Sequence, residues 1–167
     1  MLALPAKPAD CLAQVIAPAL GILAPAMDSP EARVLLLAIA GQESGLLTRR
    51  QSGGPALGLW QFETGGVRGV LRHNASADAV ISLCANRRCS PITVMHIYNS
   101  LEFDDLLACG IARLLLYTDA APLPEIGDSD AAWNYYKRNW RPGAPRPAAW
   151  GFNYSNALKA QQLSDAA

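Results

Sequence analysis

One segment of this sequence constrains the fold more than any other, because it combines a start signal, an apolar run and a stop signal. Asp28 and Ser29 can cap a helix, Pro30 occupies the favoured first helical position, and the run VLLLAIAGQES follows. Gly45 then ends the element, as glycine commonly does after a helix. We therefore predict a strongly apolar helix over about residues 30–44.

The composition predicts one compact core and excludes several functional classes. Of the 167 residues, 51% are hydrophobic and 17% are charged, which suits a single folded domain rather than a disordered chain. Fourteen Lys and Arg balance fourteen Asp and Glu, so the chain lacks the positive charge of a general nucleic-acid binder. The longest unbroken apolar stretch, Val34 to Ala40, is far shorter than the roughly 20 residues that cross a bilayer, so we expect no membrane span.

Helical spacing and end signals recur along most of the chain and predict a mainly α domain. Pro18 should kink or split the first apolar segment, because proline lacks the amide donor that a helix interior needs. The stretch ITVMHIYNSL fits either a brief strand or the start of a helix. The other predicted helices cover residues 9–24, 65–73, 76–85 and 101–117, the segment AAWNYYKRNW capped by Asp128 or Ser129, and Asn153 to Leu163. The Pro-rich stretches between them are interpreted as connectors, so residues 1–167 form one predicted domain.

The four cysteines do not indicate a small disulfide-rich protein, since a core of this size does not require such a framework. Cys11 and Cys109 have apolar neighbours and should be buried thiols. Cys84 and Cys89 could close a short loop in an oxidising compartment, and two unpaired thiols are the favoured alternative. Together with His96 they lack a fourth ligand at zinc-site spacing, so we expect neither a metal nor a cofactor.

Glu43 is the titratable group that the sequence places at the end of an apolar helix and beside a Gly-rich loop. Burial and the negative end of the helix dipole both oppose ionisation there, so its pKa should be raised. A carboxylic acid that stays protonated near neutral pH can donate a proton to the leaving oxygen of a sugar. The alternative is a solvated glutamate in a helix-terminal turn.

The spacing of polar residues after Glu43 carries a resemblance to a known superfamily. Ser52 lies nine residues after the glutamate, and the string GLWQ, from Gly58 to Gln61, ends eighteen residues after it. This pattern resembles the catalytic segment of soluble lytic transglycosylases and goose-type lysozymes, in which a helix ends in Glu-Ser and a Gly-Leu-Met-Gln segment follows a polar loop. Trp60 stands at the position of the methionine and keeps a bulky apolar group there.

Two later segments resemble the same superfamily in the expected order. Residues 108–115 resemble its Gly-containing helix, and residues 132–134, Ala-Trp-Asn, resemble its Ala-Tyr-Asn segment. Trp133 replaces a tyrosine whose hydroxyl lies near the catalytic carboxyl in that superfamily. The resemblance therefore implies that this hydroxyl is absent here or comes from Tyr135 or Tyr136.

The resemblance implies a mainly α, lysozyme-like single domain with a sugar-binding cleft. Its motifs span about residues 31–140, and we expect an N-terminal helix and a C-terminal Pro-rich, aromatic segment with a helix to pack on that core. The superfamily cleaves the β-1,4 bond between N-acetylmuramic acid and N-acetylglucosamine in peptidoglycan, which makes Glu43 the expected general acid. The implied substrate-binding residues are Ser52, Gly58, Trp60, Gln61, Trp133, Asn134 and Tyr135.

Glu63, two residues after Gln61, bears on which of two reactions the resemblance implies. Goose-type lysozymes carry an aspartate at this position, whereas lytic transglycosylases usually carry an apolar residue. A second carboxylate can position water for hydrolysis, while a transglycosylase uses one glutamate for both proton transfers and leaves a 1,6-anhydro end. Glu63 therefore favours a muramidase slightly, and an exposed glutamate on the cleft rim is the alternative.

The N-terminus bears on where such an enzyme acts. Four prolines interrupt its apolar stretch and no basic region precedes it, so we expect no Sec signal and synthesis in the cytoplasm. We expect a monomer that acts on glycan strands of the cell wall, in the style of bacteriophage enzymes that work at lysis or within the virion. The alternative is a non-catalytic peptidoglycan-binding or virion structural module, against which Glu43 argues because a binding site gains nothing from a buried acid.

Overall fold

The structure, a computed structural model, describes residues 1–166, and this part of the chain is built almost entirely from helices. The bounds of the helices are α1 Pro8–Cys11, α2 Ala17–Leu20, α3 Pro30–Glu43, α4 Thr64–Arg72, α5 Ala77–Asn86, α6 Val94–Ser100, α7 Asp105–Tyr117, α8 Ser129–Trp140 and α9 Pro147–Asp165. No β-strand occurs among residues 1–166, where Leu57 forms isolated bridges with Arg50 and Phe62. The predicted mainly α class is confirmed. No helix in this range has both the length and the apolar character needed to cross a membrane.

The first helical segment is interrupted near Pro18, as the sequence predicted. A π-helical stretch, Leu12–Ile16, separates α1 from α2, and a short 3-10 turn at Pro25–Met27 follows. Pro18 lies in the first turn of α2, and its missing amide donor breaks the regular α-helical bonding of the residues before it. The interrupted segment packs on α3 and α7.

The helix α3 forms where the sequence predicted it and lies in the centre of the core. The Oγ of Ser29 accepts a hydrogen bond from the Ala32 amide at 3.2 Å, and Pro30 is the first helical residue. Nine of the residues of α3 are buried, so other elements surround it on most sides. It ends at Glu43, and Gly45 follows with a φ of 64°, a left-handed conformation that turns the chain away from the helix axis.

The stretch ITVMHIYNSL forms a helix, which decides between the two alternatives for it. The Oγ1 of Thr93 caps α6 by accepting a hydrogen bond from the His96 amide at 3.2 Å. The helix α7 begins at Asp105, later than the sequence predicted, because Asp104 is its cap and accepts a hydrogen bond from the Leu107 amide at 3.0 Å. Residues before this cap turn rather than extend the helix.

The last two helices place aromatic residues behind α3. Asp128, rather than Ser129, caps α8 with its side chain. The sequence predicted that the last helix begins at Asn153, whereas α9 begins at Pro147, a residue that suits the first helical position. The indole of Trp150 holds the additional turns in place by donating to the Ser129 carbonyl at 2.9 Å. The helix α9 then packs along α3.

All four cysteines lie within the described part of the chain and are buried, free thiols. Burial raises the pKa of the Cys11 thiol to about 12 and raises the pKa of Cys109 well above its ordinary value. The prediction of two buried thiols among apolar neighbours is confirmed. Cys84 and Cys89 are unpaired, which was the favoured alternative for them.

A buried ion pair fastens the N-terminus and the long loop after α3 to the start of α7. The Nε and Nη2 atoms of Arg49 donate to the two carboxylate oxygens of Asp105 at 2.6 and 2.8 Å. The amide of Leu2 donates to the same carboxylate at 2.8 Å, and its carbonyl accepts from Arg49 at 2.6 Å. The carbonyl of Arg49 in turn accepts from the Gly58 amide at 2.8 Å. Three distant parts of the chain therefore meet at one fully bonded pair.

We expect Asp105→Ala to lower the free energy of unfolding by about 3–5 kcal/mol, because it leaves the Arg49 guanidinium without its partner. Urea denaturation followed by circular dichroism measures the loss. The matched control is Glu102→Ala, which removes the partner of Arg50 on the same loop. The side chain of Arg50 is 65% exposed against 13% for Arg49, so solvent screens its ion pair and the control should lose much less stability than Asp105→Ala. Equal losses in the two variants would contradict the role of the buried pair.

Candidate active site

A cleft of about 580 Å³ opens at the C-terminal end of α3. It is formed by the end of α3, Gln51 of the long loop, the segment 56–66, Leu115 of α7, and the end of α8 together with the loop that leads to α9. Its lining includes the side chains of Glu43, Gln51, Gln61, Glu63, Asn139, Trp140, Arg141 and Arg146. It therefore brings two carboxylates, three amides, an indole and two guanidinium groups to one opening.

Glu43 lies half-buried at the last position of α3, with its carboxyl group facing this cleft. Burial is the main cause that raises its pKa above the ordinary value. A hydrogen bond from Tyr136 and the positive charge of Arg146 act in the opposite direction and are smaller effects. The raised pKa agrees with the direction expected from the sequence, and it results mainly from desolvation.

The hydroxyl beside the carboxyl comes from Tyr136. Its Oη donates a hydrogen bond to the Oε1 of Glu43 at 2.5 Å. Burial and the neighbouring carboxyl raise the pKa of this phenol far above its ordinary value, so it remains a donor over the whole physiological range. Its ring stacks on Trp150 with 5.3 Å between ring centroids and 14° between the ring planes, which holds the hydroxyl in place.

Tyr135 is not a substrate-binding residue in this structure, which corrects one of the expectations. Its side chain points to the opposite side of α8, where it is buried and donates to the carbonyls of Leu116 at 2.9 Å and Ala121 at 3.3 Å. Burial raises the pKa of Tyr135 to about 12. Its function is to join α8 to the segment after α7.

The assignment of Trp60 to substrate binding is also corrected, because this residue is fully buried and does not line the cleft. Its Nε1 donates to the Leu36 carbonyl of α3 at 2.9 Å, and its own carbonyl accepts from the Nε1 of Trp140 at 3.0 Å. The apolar wall that the sequence assigned to Trp60 is formed by Phe62 and Trp140, whose ring centroids lie 5.6 Å apart. The sequence could not separate the two positions for Trp60, because a bulky apolar side chain suits the core as well as a cleft wall.

Gln61 lines the cleft, whereas Gly58 lies below it in the core. Gln61 has a φ of 49°, and its Nε2 donates to the Gly58 carbonyl at 2.7 Å. Gly58 has a φ of 77°, and a Cβ atom there would lie 3.0 Å from the Leu101 carbonyl and 3.3 Å from the Cβ of Ala108. The glycine is needed for a close approach to α7 rather than to a sugar, which corrects its assignment as a binding residue.

Three further residues assigned to substrate binding lie outside the cleft. Ser52 is exposed in the turn of the long loop, where its neighbour Gln51 reaches the cleft instead. Asn134 is exposed on α8, away from the opening. Trp133 packs behind the site, with its ring centroid 5.3 Å from that of Tyr136. Trp133 therefore packs against Tyr136 and does not line the cleft.

Glu63 lies on the cleft wall directly before α4, and its side chain is exposed. It shares the opening with Glu43, so the structure brings together the two carboxylates that the sequence singled out. A pair of carboxyl groups in one cleft, one half-buried and one exposed, is the set of groups from which a glycosidase can draw a proton donor and a base.

Arg146 is a cleft residue that the sequence did not reveal. It donates to the Gln42 carbonyl, and the Nε2 of Gln42 donates to the Arg146 carbonyl at 3.0 Å. The Oε1 of Gln42 also accepts from the Nδ2 of Asn153 in α9 at 3.0 Å. These bonds join the loop after α8 to the residue next to Glu43 across a separation of 104 residues, which no local pattern indicates.

The site has no feature of a metal centre, since no group of three or more His, Cys, Asp or Glu side chains within residues 1–166 could hold a metal ion. Comparison with protein-family models, curated proteins and solved structures gives no match. The geometry of the cleft and its own side chains are therefore the basis for assigning its chemistry.

We expect Tyr136→Phe to raise the pKa of Glu43 further, because the phenol hydrogen bond stabilises the charged carboxylate while burial remains. Titration of ¹³C-labelled glutamate carboxyl groups by NMR measures this pKa directly. Tyr135→Phe is the matched control, since it removes the neighbouring hydroxyl on the other side of α8 and should leave Glu43 unchanged. A Glu43 titration that is identical in Tyr136→Phe and the parent protein would show that the bond does not act on the carboxylate.

Proposed function

We propose that this protein is a peptidoglycan glycosidase with a lysozyme-like fold. One observation carries the proposal: Glu43 is a half-buried acid with a raised pKa that faces an open cleft and accepts a hydrogen bond from Tyr136. The spacing of Glu43, Ser52 and Gln61 in the sequence supports the same class of enzyme. The proposed substrate is the glycan strand of peptidoglycan, cleaved at the β-1,4 bond between N-acetylmuramic acid and N-acetylglucosamine.

Glu43 is the general acid in this proposal. Because burial raises its pKa, a larger fraction of the carboxyl groups carries the proton that the glycosidic oxygen needs as the bond breaks. Once the proton has moved, the hydroxyl of Tyr136 and the charge of Arg146 stabilise the carboxylate that remains. Burial thus favours the protonated form of Glu43, whereas Tyr136 and Arg146 favour the carboxylate that forms when the proton is transferred.

The cleft also offers a binding wall for a sugar. Trp140 is partly exposed on one side of the cleft and packs against the buried ring of Phe62, and sugar rings pack their apolar faces on such indoles. The indole of Trp140 is held by its bond to the Trp60 carbonyl, so its orientation is set before a substrate binds. The volume of about 580 Å³ suits a few sugar rings of a longer chain that extends beyond the opening.

Glu63 supports hydrolysis as the reaction, in preference to transglycosylation. Its exposed carboxylate lines the same cleft as Glu43, and an exposed carboxylate is accessible to water. In this arrangement Glu63 takes a proton from the water that attacks C1, and the product carries a reducing N-acetylmuramic acid end. In transglycosylation Glu43 performs both proton transfers, and the muramoyl 6-hydroxyl attacks C1 to leave a 1,6-anhydro end.

We expect Glu43→Gln to lower the rate of wall degradation by about 10²–10⁴-fold, because the amide has the same shape and no acidic proton. The release of soluble muropeptides from purified sacculi measures the rate. Glu125→Gln is the control, since Glu125 is an exposed glutamate outside the cleft and its variant should keep full activity. A parent protein that binds sacculi and releases nothing would replace the proposal with a non-catalytic binding module.

We expect Glu63→Gln to slow hydrolysis strongly and the parent protein to release mainly reducing ends. Mass spectrometry of the muropeptides separates the two reactions, because an anhydro product is lighter by one water than a reducing product. Glu125→Gln serves again as the control for an exposed carboxylate. Anhydro ends as the main product of the parent protein would assign transglycosylation, whatever the activity of Glu63→Gln.

A further inference from the structure

The end of α5 forms a tight backbone cap that contains two cysteines. Arg87 follows the last helical residue, and Arg88 has a φ of 54°, the left-handed conformation that ends many helices. The amide of Cys89 donates to the carbonyl of Cys84 at 2.8 Å, and the amide of Arg88 donates to the carbonyl of Ala85 at 3.2 Å. This pair of hydrogen bonds defines a Schellman motif.

A Schellman motif brings together the side chains of the two residues joined by its longer hydrogen bond. In most proteins these side chains are apolar, whereas here they are the thiols of Cys84 and Cys89. Cys84 is fully buried and Cys89 is 6% exposed, so neither thiol has bulk solvent around it. The Sγ of Cys89 donates a hydrogen bond to the Oγ of Ser100 at 3.8 Å. Burial, together with the neighbouring thiol of Cys89, raises the pKa of Cys84 to about 12.

We propose that Cys84 and Cys89 are a redox-active dithiol that closes to an intramolecular disulfide in an oxidising compartment and thereby locks the C-terminus of α5. The backbone hydrogen bond between the two residues holds their main chains close together, as a disulfide requires, and we expect closure by rotation of the two side chains. This inference is independent of the proposed wall-degrading activity, because neither cysteine lies at the cleft.

Cys89 is the entry point for the oxidant. It lines a pocket of about 340 Å³ together with His96, Ser100, Phe103 and the exposed Arg88, whereas Cys84 is fully buried and does not line this pocket. A pocket of this size takes one arm of a small-molecule disulfide such as oxidised glutathione, and the guanidinium of Arg88 suits a carboxylate of that arm.

The reaction proceeds through a mixed disulfide and balances in atoms and electrons. The Cys89 thiolate attacks one sulfur of oxidised glutathione and releases one glutathione. The Cys84 thiol then gives up its proton and attacks the Cys89 sulfur, which releases the second glutathione. The protein loses two hydrogens and is oxidised by two electrons, and one molecule of glutathione disulfide becomes two molecules of glutathione.

Cys11 and Cys109 provide an internal reference for the experiment. Both are fully buried, and neither lines the pocket that exposes Cys89. They should therefore stay reduced under conditions in which the proposed pair closes. A loss of two of the four thiols, and not of one or four, is the expected result for the folded protein.

The sequence between the two cysteines makes the disulfide easy to identify. Trypsin cleaves after Arg87 and after Arg88, so residues 73–87 and 89–113 leave the chain as separate peptides. After incubation of the folded protein with oxidised glutathione and blocking of free thiols with N-ethylmaleimide, we expect these two peptides to remain linked until a reductant is added. Fragment masses then distinguish a bond at Cys89 from one at Cys109.

Two variants test the order of steps. Cys84→Ala removes the resolving thiol, so it should accumulate the mixed disulfide, with one glutathione on Cys89. Cys89→Ser removes the entry point, so its Cys84 should stay reduced. The second measurement is thermal unfolding: the oxidised parent protein should melt several degrees above its reduced form, and Cys89→Ser should show no dependence on oxidant.

Three results would overturn the proposal. All four thiols could still react with N-ethylmaleimide when the protein is unfolded in denaturant after the treatment with oxidised glutathione. The linked peptides could contain Cys11 or Cys109 in place of the proposed pair. The linkage between Cys84 and Cys89 could form only in urea, which would show that the folded cap prevents closure.

Discussion

The cleft depends on the buried indole of Trp60 more than on any residue that faces the opening. Its Nε1 is bound to the Leu36 carbonyl in α3, and its backbone carbonyl holds the indole of Trp140 at the end of α8. The segment from Leu57 to Phe62 is therefore fixed to both helices at once. Because Gln61 follows this tryptophan directly, its place on the cleft wall is set by the core beneath it and not by the loop around it.

Aromatic packing behind Glu43 connects the stability of the fold to the chemistry of the site. The rings of Trp133, Tyr136 and Trp150 contact one another, with ring centroids 5.3 to 5.4 Å apart. This cluster keeps water from the inner side of the carboxyl group, and that loss of hydration is what raises the pKa of Glu43. The same aromatic contacts therefore fill the core and contribute to the burial that raises the pKa of Glu43.

The sequence predicted the parts of the site that depend on local signals. The cap and apolar run of α3 placed Glu43 at a helix end, and the spacing after it singled out Gln61 and Glu63, which share the cleft with it. Tyr135 and Tyr136 could not be separated in this way. Successive residues of a helix point about 100° apart, so which hydroxyl reaches Glu43 depends on how α8 is rotated against α3. The sequence could not distinguish a core position from a cleft wall for Trp60, because a bulky apolar side chain suits both. It could not reveal Arg146 either, because its contact with Gln42 joins residues 104 positions apart.

The contacts of Glu43 also determine when a competent site exists during synthesis. Its hydroxyl partner lies 93 residues further along the chain, and the loop that is tied to Gln42 lies 104 residues further. A ribosome that has translated only through α7 has released Glu43 without either of them. Because the chain emerges from its N-terminus, nascent and prematurely terminated products carry the acid on a helix with no assembled cleft. The order of the helices thus confines the assembled cleft to chains whose synthesis has passed Arg146.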